Sequence, residues 1–254
     1  MSSVSTVLDN LWVPDYIREP ELSFDQRFSI VGKTGSGKTW FAIVLLSLLV
    51  PWQKKRDSSH AEVWFIDTKH DPKDIELLQR WGFQYGGKSN YRLFSVYPTA
   101  PERSGKKIIP GKKQWESAQE IIAAAYNYSG VLVVVDEYVQ VVRNTIDAGP
   151  GLLDVFQRGR GLNVGIIGLT QEPVYVPRQL LSQASHQFFF DMSYPNDIKR
   201  IWEFYAQYKR PISRGLEFKH GFYHIAVDYD GFGVFYPHYK EWVEQNGLLE
   251  RLAA

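Results

Sequence analysis

The chain of 254 residues is long enough for one large α/β domain or two small ones, and its 44% hydrophobic and 22% charged content is that of a globular protein. Basic and acidic residues number 29 and 28, a net charge of +1, which excludes a global field drawing the protein onto a polyanion, so any such contact must come from local clusters. The absence of cysteine excludes disulfides, thiolate metal sites and cysteine nucleophiles, and the 15% aromatic content predicts a heavily packed core or sticky surfaces.

In chain order, Met1 to Asp9 carries no basic n-region, which predicts no secretory leader. Residues 1–26 read as an irregular segment with Pro14 and Pro20. Phe28–Val31 predicts a short strand, followed directly by Gly32-Lys33-Thr34-Gly35-Ser36-Gly37-Lys38-Thr39. The pattern GxxxxGK[ST] between a strand and an apolar run is the order a phosphate-binding loop needs. Its glycines let backbone N–H groups turn toward a polyphosphate, and the following helix N-terminus adds partial positive charge. Lys38 is placed to reach the β- and γ-phosphates, and the Thr39 hydroxyl to ligate Mg²⁺. The helix is predicted over 38–50, stopped by Pro51, and its apolar run is too short to span a bilayer. Lys54-Lys55-Arg56 reads as a basic turn.

Ala61–Asp67 predicts a strand, and residues 73–81 a helix. Between them, Thr68-Lys69-His70-Asp71 matches the guanine-reading TKxD pattern. It lies directly after the first helix rather than after a metal-binding aspartate, which argues against a GTPase. Residues 82–113 are the least regular region, with a short strand at 92–96. In the stretch 98–113, Arg103, Lys106, Lys107, Lys112 and Lys113 face only Glu102 in charge. That stretch is either a solvated loop or a DNA-contacting one.

Trp115, Ala118, Ile121, Ile122 and Ala125 recur at helical spacing over 114–128. The run Val131–Val135 belongs at the centre of a parallel sheet, buried on both faces, and ends in Asp136-Glu137. A helix at 152–157 runs into Arg158-Gly159-Arg160-Gly161. A strand at 163–169 ends in Thr170-Gln171. Further elements are predicted at 177–185 (short helix or turn), 187–191 (strand) and 197–206 (helix). A hairpin of 222–227 and 232–236 is expected around an Asp230-Gly231 turn, then a helix over 239–252.

Strands alternating with helices predict an α/β fold with a mostly parallel sheet, whose active groups gather beyond the strands' carboxyl ends. Four strand ends deliver candidates: the glycine-rich loop, Asp67, Asp136-Glu137 and Thr170-Gln171. Asp136 stands in the Walker B arrangement and can hold Mg²⁺ opposite Thr39. Glu137 is placed as general base for water, which favours hydrolysis of ATP over transfer to an acceptor. Gln171 can hydrogen-bond the γ-phosphate or the water. Arg158 and Arg160 are poorly placed to reach the loop of their own subunit. In a ring they face a neighbour's nucleotide as arginine fingers.

GKTGSGKT, FIDTKHD, LVVVDEY and RGRGLNVGIIGLTQEP together resemble the FtsK–HerA superfamily of ring-forming DNA-pumping ATPases, over roughly residues 27–205. The third residue of FIDTKHD onward resembles that family's D-x-K, and the last motif its R-x-x-G stretch and T-Q-x-P. The resemblance implies a single RecA-like (ASCE) P-loop NTPase domain over 1–254, with a C-terminal β-hairpin extension and helix at 222–252. These either complete the sheet or dock the protein to a shell. It makes Arg158 the better finger, with Arg160 second, and Gln171 the sensor. The short stretch before the first strand makes the chain look most like the genome-packaging ATPases of membrane-containing, double-jelly-roll viruses. That likeness implies ATP and Mg²⁺ as cofactors, and double-stranded DNA and a hexameric or pentameric homo-oligomeric ring as partners. Capsid vertex or membrane proteins would be further partners. It implies a soluble protein of the host cytoplasm or virion, without a membrane span. The competing readings are a cellular HerA-type translocase or helicase ATPase, a small-molecule kinase and a non-catalytic ATP-gated scaffold.

Overall fold

The computed structural model describes residues 23–56, 61–85, 89–96, 114–204, 221–226 and 229–234. Arg103, Lys106, Lys107, Lys112 and Lys113, the helix expected over 239–252 and most of the segment 1–26 lie outside the described residues. Among those described, nine strands form one sheet: β1 (Arg27–Val31), β2 (Glu62–Asp67), β3 (Gln84–Tyr85), β4 (Tyr91–Ser95), β5 (Val131–Val135), β6 (Gly165–Thr170), β7 (His186–Phe190), β8 (Gly221–Ala226) and β9 (Tyr229–Val234). Their order is β3-β4-β2-β5-β6-β1-β7-β8-β9. Pairings from β3 through β7 are parallel, and β8 and β9 add an antiparallel hairpin to the β7 edge. The helices are α1 (Lys38–Arg56), α2 (Pro72–Arg80), α3 (Gln114–Tyr128), α4 (Pro150–Arg158), α5 (Arg178–Ser182) and α6 (Pro195–Trp202).

The sheet is covered on both faces, which is why its central strands read as unbroken apolar runs. Side chains alternate between two cores with the period of the strand. Leu132 and Val134 of β5 join Phe41, Leu45 and Leu46 of α1 and Leu78 of α2 on one face. Val131, Val133 and Val135 join Ile122 of α3, Leu152 of α4 and Leu181 of α5 on the other. No helix among the described residues is long and apolar enough to cross a membrane.

Strand order positions the site. The strand carrying Gln171, β6, lies between β1, which feeds the glycine-rich loop, and β5, which delivers Asp136-Glu137. Three chemically different strand ends therefore meet at the sheet's carboxyl edge, where parallel α/β sheets bind ligands. The register is held partly by one close approach. A Cβ placed on Gly168 of β6 would come within 1.6 Å of the Tyr138 ring, which is fully buried beside Glu137. Gly168→Ala should cost about 3 kcal/mol through overpacking and lower the melting temperature by roughly 10 °C, measured by thermal denaturation.

Of the boundaries that differ from expectation, two have a clear physical cause. Helix α1 does not stop at Pro51 but continues to Arg56. Proline forfeits one backbone bond within a helix, and here burial of Leu49, Val50 and Gln53 along the helix offsets that loss. Lys54-Lys55-Arg56 is accordingly the last helical turn rather than a free one. In the hairpin, Asp230 and Gly231 are not the turn. They pair with Ile225 and His224, and the strands close between Ala226 and Tyr229. Aromatic packing of Phe222 on Phe188 and Phe190, and of His224 on Phe188, sets the register of β8 on β7. A slip of one residue would turn those rings to the opposite face.

Candidate active site

Between β1 and α1, Gly35 and Gly37 adopt φ of 74° and 103°, a backbone region only glycine enters freely. The loop is tied to both neighbours of β1. The Gly32 N–H donates to the Thr170 carbonyl of β6 at 3.1 Å, and the Lys33 N–H to the Asp191 carbonyl just after β7 at 2.8 Å. The Lys33 ammonium also pairs with the Asp191 carboxylate. Lys38, at the start of α1, is buried and curls back to donate to the Gly32 and Lys33 carbonyls at 2.6 and 2.8 Å. Burial, and then the nearby Lys69 charge, pull its pKa down to about 8, with Glu137 and Asp136 opposing. A group so placed gains from a polyanion, because phosphate oxygens would supply the counter-charge that burial denies it.

Asp136 and Glu137 leave β5 almost fully buried, at 4% and 6% exposure. Burial raises the pKa of both. The Asp136 N–H donates to the Ile66 carbonyl of β2 at 3.2 Å, fixing the strand end. Glu137 is held from β6: the Gln171 N–H donates to its carboxylate oxygens at 3.2 and 3.3 Å, and the Thr170 hydroxyl hydrogen-bonds it as well. The Gln171 side-chain oxygen in turn accepts from the Thr34 hydroxyl of the glycine-rich loop at 2.5 Å. The sensor residue thus touches the candidate base through its backbone and the phosphate loop through its side chain. That double link needs β6 to lie between β5 and β1, which neither the motifs nor their spacing revealed.

A cavity of about 380 Å³ opens beside these carboxylates, lined in part by Lys69, Gln114, Glu137, Gln171 and Glu172. A second of about 350 Å³ lies between the glycine-rich loop and the segment after β7, lined in part by Lys33, Thr34, Gln171 and Met192. Gln171 borders both. Of the residues expected from sequence, the structure brings together Gly32 through Thr39, Asp136, Glu137 and Gln171. It does not bring Arg158 or Arg160 to them. These arginines lie at the far end of α4 and in the turn before β6, at the strands' amino ends, and their side chains are 70% and 81% exposed. The buried Asp136 carboxylate, neutralised here by an ammonium, fits a divalent cation, and with the half-buried Thr39 hydroxyl would hold one. Such an ion would neutralise phosphate charge when bound.

Sequence reading assigned no role to Thr170, Asp191 or Lys69. In the sequence Lys69 stands out as the lysine of the D-x-K pattern after β2 and of the TKxD match argued against above. The Asp67 carboxylate caps that turn, accepting from the Lys69 and His70 N–H groups at 3.2 and 2.8 Å, with His70 at φ 54°. The turn delivers the Lys69 ammonium to the Asp136 carboxylate at 3.3 Å.

Asp74, in the first turn of α2, is an acid whose charge state the fold changes near neutrality. Burial, with Asp136 and Asp71 as further like charges, pushes its carboxyl up to about 6. The folded state thus prefers the protonated acid. This favourable contribution is fully present below the ordinary carboxylate range and is lost as pH rises through about 6. Asp74→Asn should therefore stabilise the protein at about pH 8 by about 1 kcal/mol, discounted for partial exposure, or roughly 3 °C, and have little effect at about pH 4. Thermal melts at the two pH values check the sign.

No family model matches the sequence, and no curated protein matches it. Solved structures do. The chain is similar to the genome packaging NTPase B204 from Sulfolobus turreted icosahedral virus 2 in complex with ATP-gammaS, with 15% identity and a TM-score of 0.60, covering 85% of this chain and 99% of that one. It is similar to VirB4 of Thermoanaerobacter pseudethanolicus, with 11% identity, a TM-score of 0.57 and coverage of 85% and 90%. It is also similar to EssC (ATPases 2 and 3) from Geobacillus thermodenitrificans, with 13% identity, a TM-score of 0.56 and coverage of 90% of this chain and 44% of that one. Identity this low carries the fold and not the activity. The chain has the P-loop NTPase fold in the form shared by B204, VirB4 and EssC, as the motif resemblance implied.

Proposed function

We propose that the chain is an Mg²⁺-dependent ATPase that works as a ring and drives double-stranded DNA, packaging a genome into a viral shell. One observation carries the hydrolytic part. Gln171 bonds the Glu137 carboxylate with its backbone and Thr34 with its side chain, so the base for water and the loop for phosphates are joined through one residue. The P-loop N–H groups and Lys38 would bind the phosphates, and Asp136 with Thr39 the metal. Glu137 would take the proton of the attacking water. The motor part is supported by the likeness to B204 and by the basic stretch 98–113, whose cations suit sequence-independent contact with DNA phosphates. That stretch ends next to Gln114, whose side-chain amide donates to the Thr68 carbonyl at 2.7 Å, beside Lys69. A pull on the stretch would therefore be felt at the carboxylates.

The test is phosphate release with and without double-stranded DNA. The native chain should release free phosphate, faster with DNA. Neutralising Lys106, Lys107, Lys112 and Lys113 together should abolish the DNA stimulation and spare the basal rate. Unchanged stimulation would remove the stretch from the DNA interface. A phosphorylated small molecule in place of free phosphate would replace this reading with a kinase.

A further inference from the structure

Lys69 lies at the centre of the site, and the hydrolytic scheme above leaves it without work. Its ammonium lies 3.3 Å from the Asp136 carboxylate, 3.4 Å from the Asp136 carbonyl and 3.9 Å from the Glu137 carboxylate. It is not a surface charge that happens to fall there. Its backbone is fixed by the Asp67 cap and the left-handed His70, and the neighbouring Thr68 carbonyl is held by Gln114. Two buried carboxylates side by side repel, and a cation beside both eases that repulsion. The same Asp136 carboxylate is the one that fits a divalent cation. A lysine and a metal cannot both be its nearest counter-charge at no cost, because their like charges meet at short range in a poorly solvated site.

We propose that Lys69 is a positioning residue of this site, a built-in counter-ion that competes with the divalent cation for Asp136 and so makes metal binding depend on nucleotide. The inference rests on the ATPase reading. Metal alone must displace the ammonium from Asp136 unaided. Metal arriving with a nucleotide brings phosphate charge, which offers the displaced ammonium a new partner. The consequence is a site that holds metal poorly without nucleotide and well with it.

The probe is Mn²⁺, whose free fraction is read by electron paramagnetic resonance, titrated alone and with a non-hydrolysable ATP analogue. The native chain should bind Mn²⁺ weakly alone and much more tightly with the analogue. Lys69→Met should bind Mn²⁺ alone at least about tenfold tighter than native, so that the gain from the analogue shrinks. Lys69→Arg, which keeps the charge, should stay near the native affinity. A merely structural lysine would give no change or a loss of affinity on replacement, and either result overturns the proposal. If Lys69→Met does not fold, Lys69→Gln is read by the same standard. A native chain that binds no Mn²⁺ even with the analogue overturns the ATPase reading and this inference with it. Native binding that Lys69→Met leaves unchanged overturns this inference alone.

Discussion

Replacing Glu137 by glutamine should lower the kcat of ATP hydrolysis by about 10²- to 10⁴-fold while leaving the affinity for ATP within about twofold. Glutamine keeps the size of the side chain and an oxygen able to accept from the Gln171 N–H and the Thr170 hydroxyl. What it loses is the ability to take a proton. The fold should not suffer, because a buried carboxylate whose pKa burial has raised is replaced by a neutral amide. The measurement pairs steady-state phosphate release with binding of a fluorescent ATP analogue. Normal turnover in Glu137→Gln would show that another group activates the water. Lost binding would show that Glu137 supports the nucleotide rather than the chemistry.

Arg158→Ala should lower kcat by about 10³-fold, and the loss should be repairable by another subunit. The helix α4 begins after the loop that follows Asp136-Glu137 and runs back along the sheet, so Arg158 ends at the edge opposite the glycine-rich loop. It cannot serve its own site. It pairs with Asp154, one helical turn back at 3.8 Å, and both side chains are exposed. Arg160 pairs with Asp25 at 3.4 Å and is likewise exposed. Pairs whose guanidinium is this exposed contribute little, so neither arginine is withheld from a neighbour. In a head-to-tail ring, inactive Glu137→Gln subunits carry an intact Arg158, and inactive Arg158→Ala subunits carry an intact Glu137. Mixing them in equal amounts should restore about a quarter of the sites. A mixture as inactive as its components places Arg158 outside the neighbour's site. Recovery that instead needs Arg160 exchanges the two roles.

Much of the site was legible because each of its parts is a contiguous motif. A loop of alternating glycines needs no distant partner to announce a turn with positive φ, and Gly35 and Gly37 adopt it. A run of five β-branched or leucine residues announces a buried strand by itself, and β5 is buried throughout. Asp136, Glu137 and Gln171 could be named because polar residues at the ends of such strands stand out. The elements misjudged were those where a local rule competed with burial elsewhere. Pro51 is a helix breaker by its own chemistry, yet α1 passes through it because the flanking residues are buried in the core. Asp230-Gly231 is a turn pair by its own preference, yet aromatic packing between β7 and β8 places it inside β9.

The sequence by itself therefore determined the alternating α/β class, the phosphate loop and the acids and amide that face it, since all depend on neighbours within a few residues. Only the tertiary structure decided how they work together. Pairing β6 between β5 and β1 lets Gln171 hold Glu137 and Thr34 at once, and pairing β2 beside β5 brings Lys69 to Asp136. The reason is physical. Which strand lies next to which is settled by crossover connections and by burial on both faces of the sheet, and those are properties of the whole chain, not of any stretch within it.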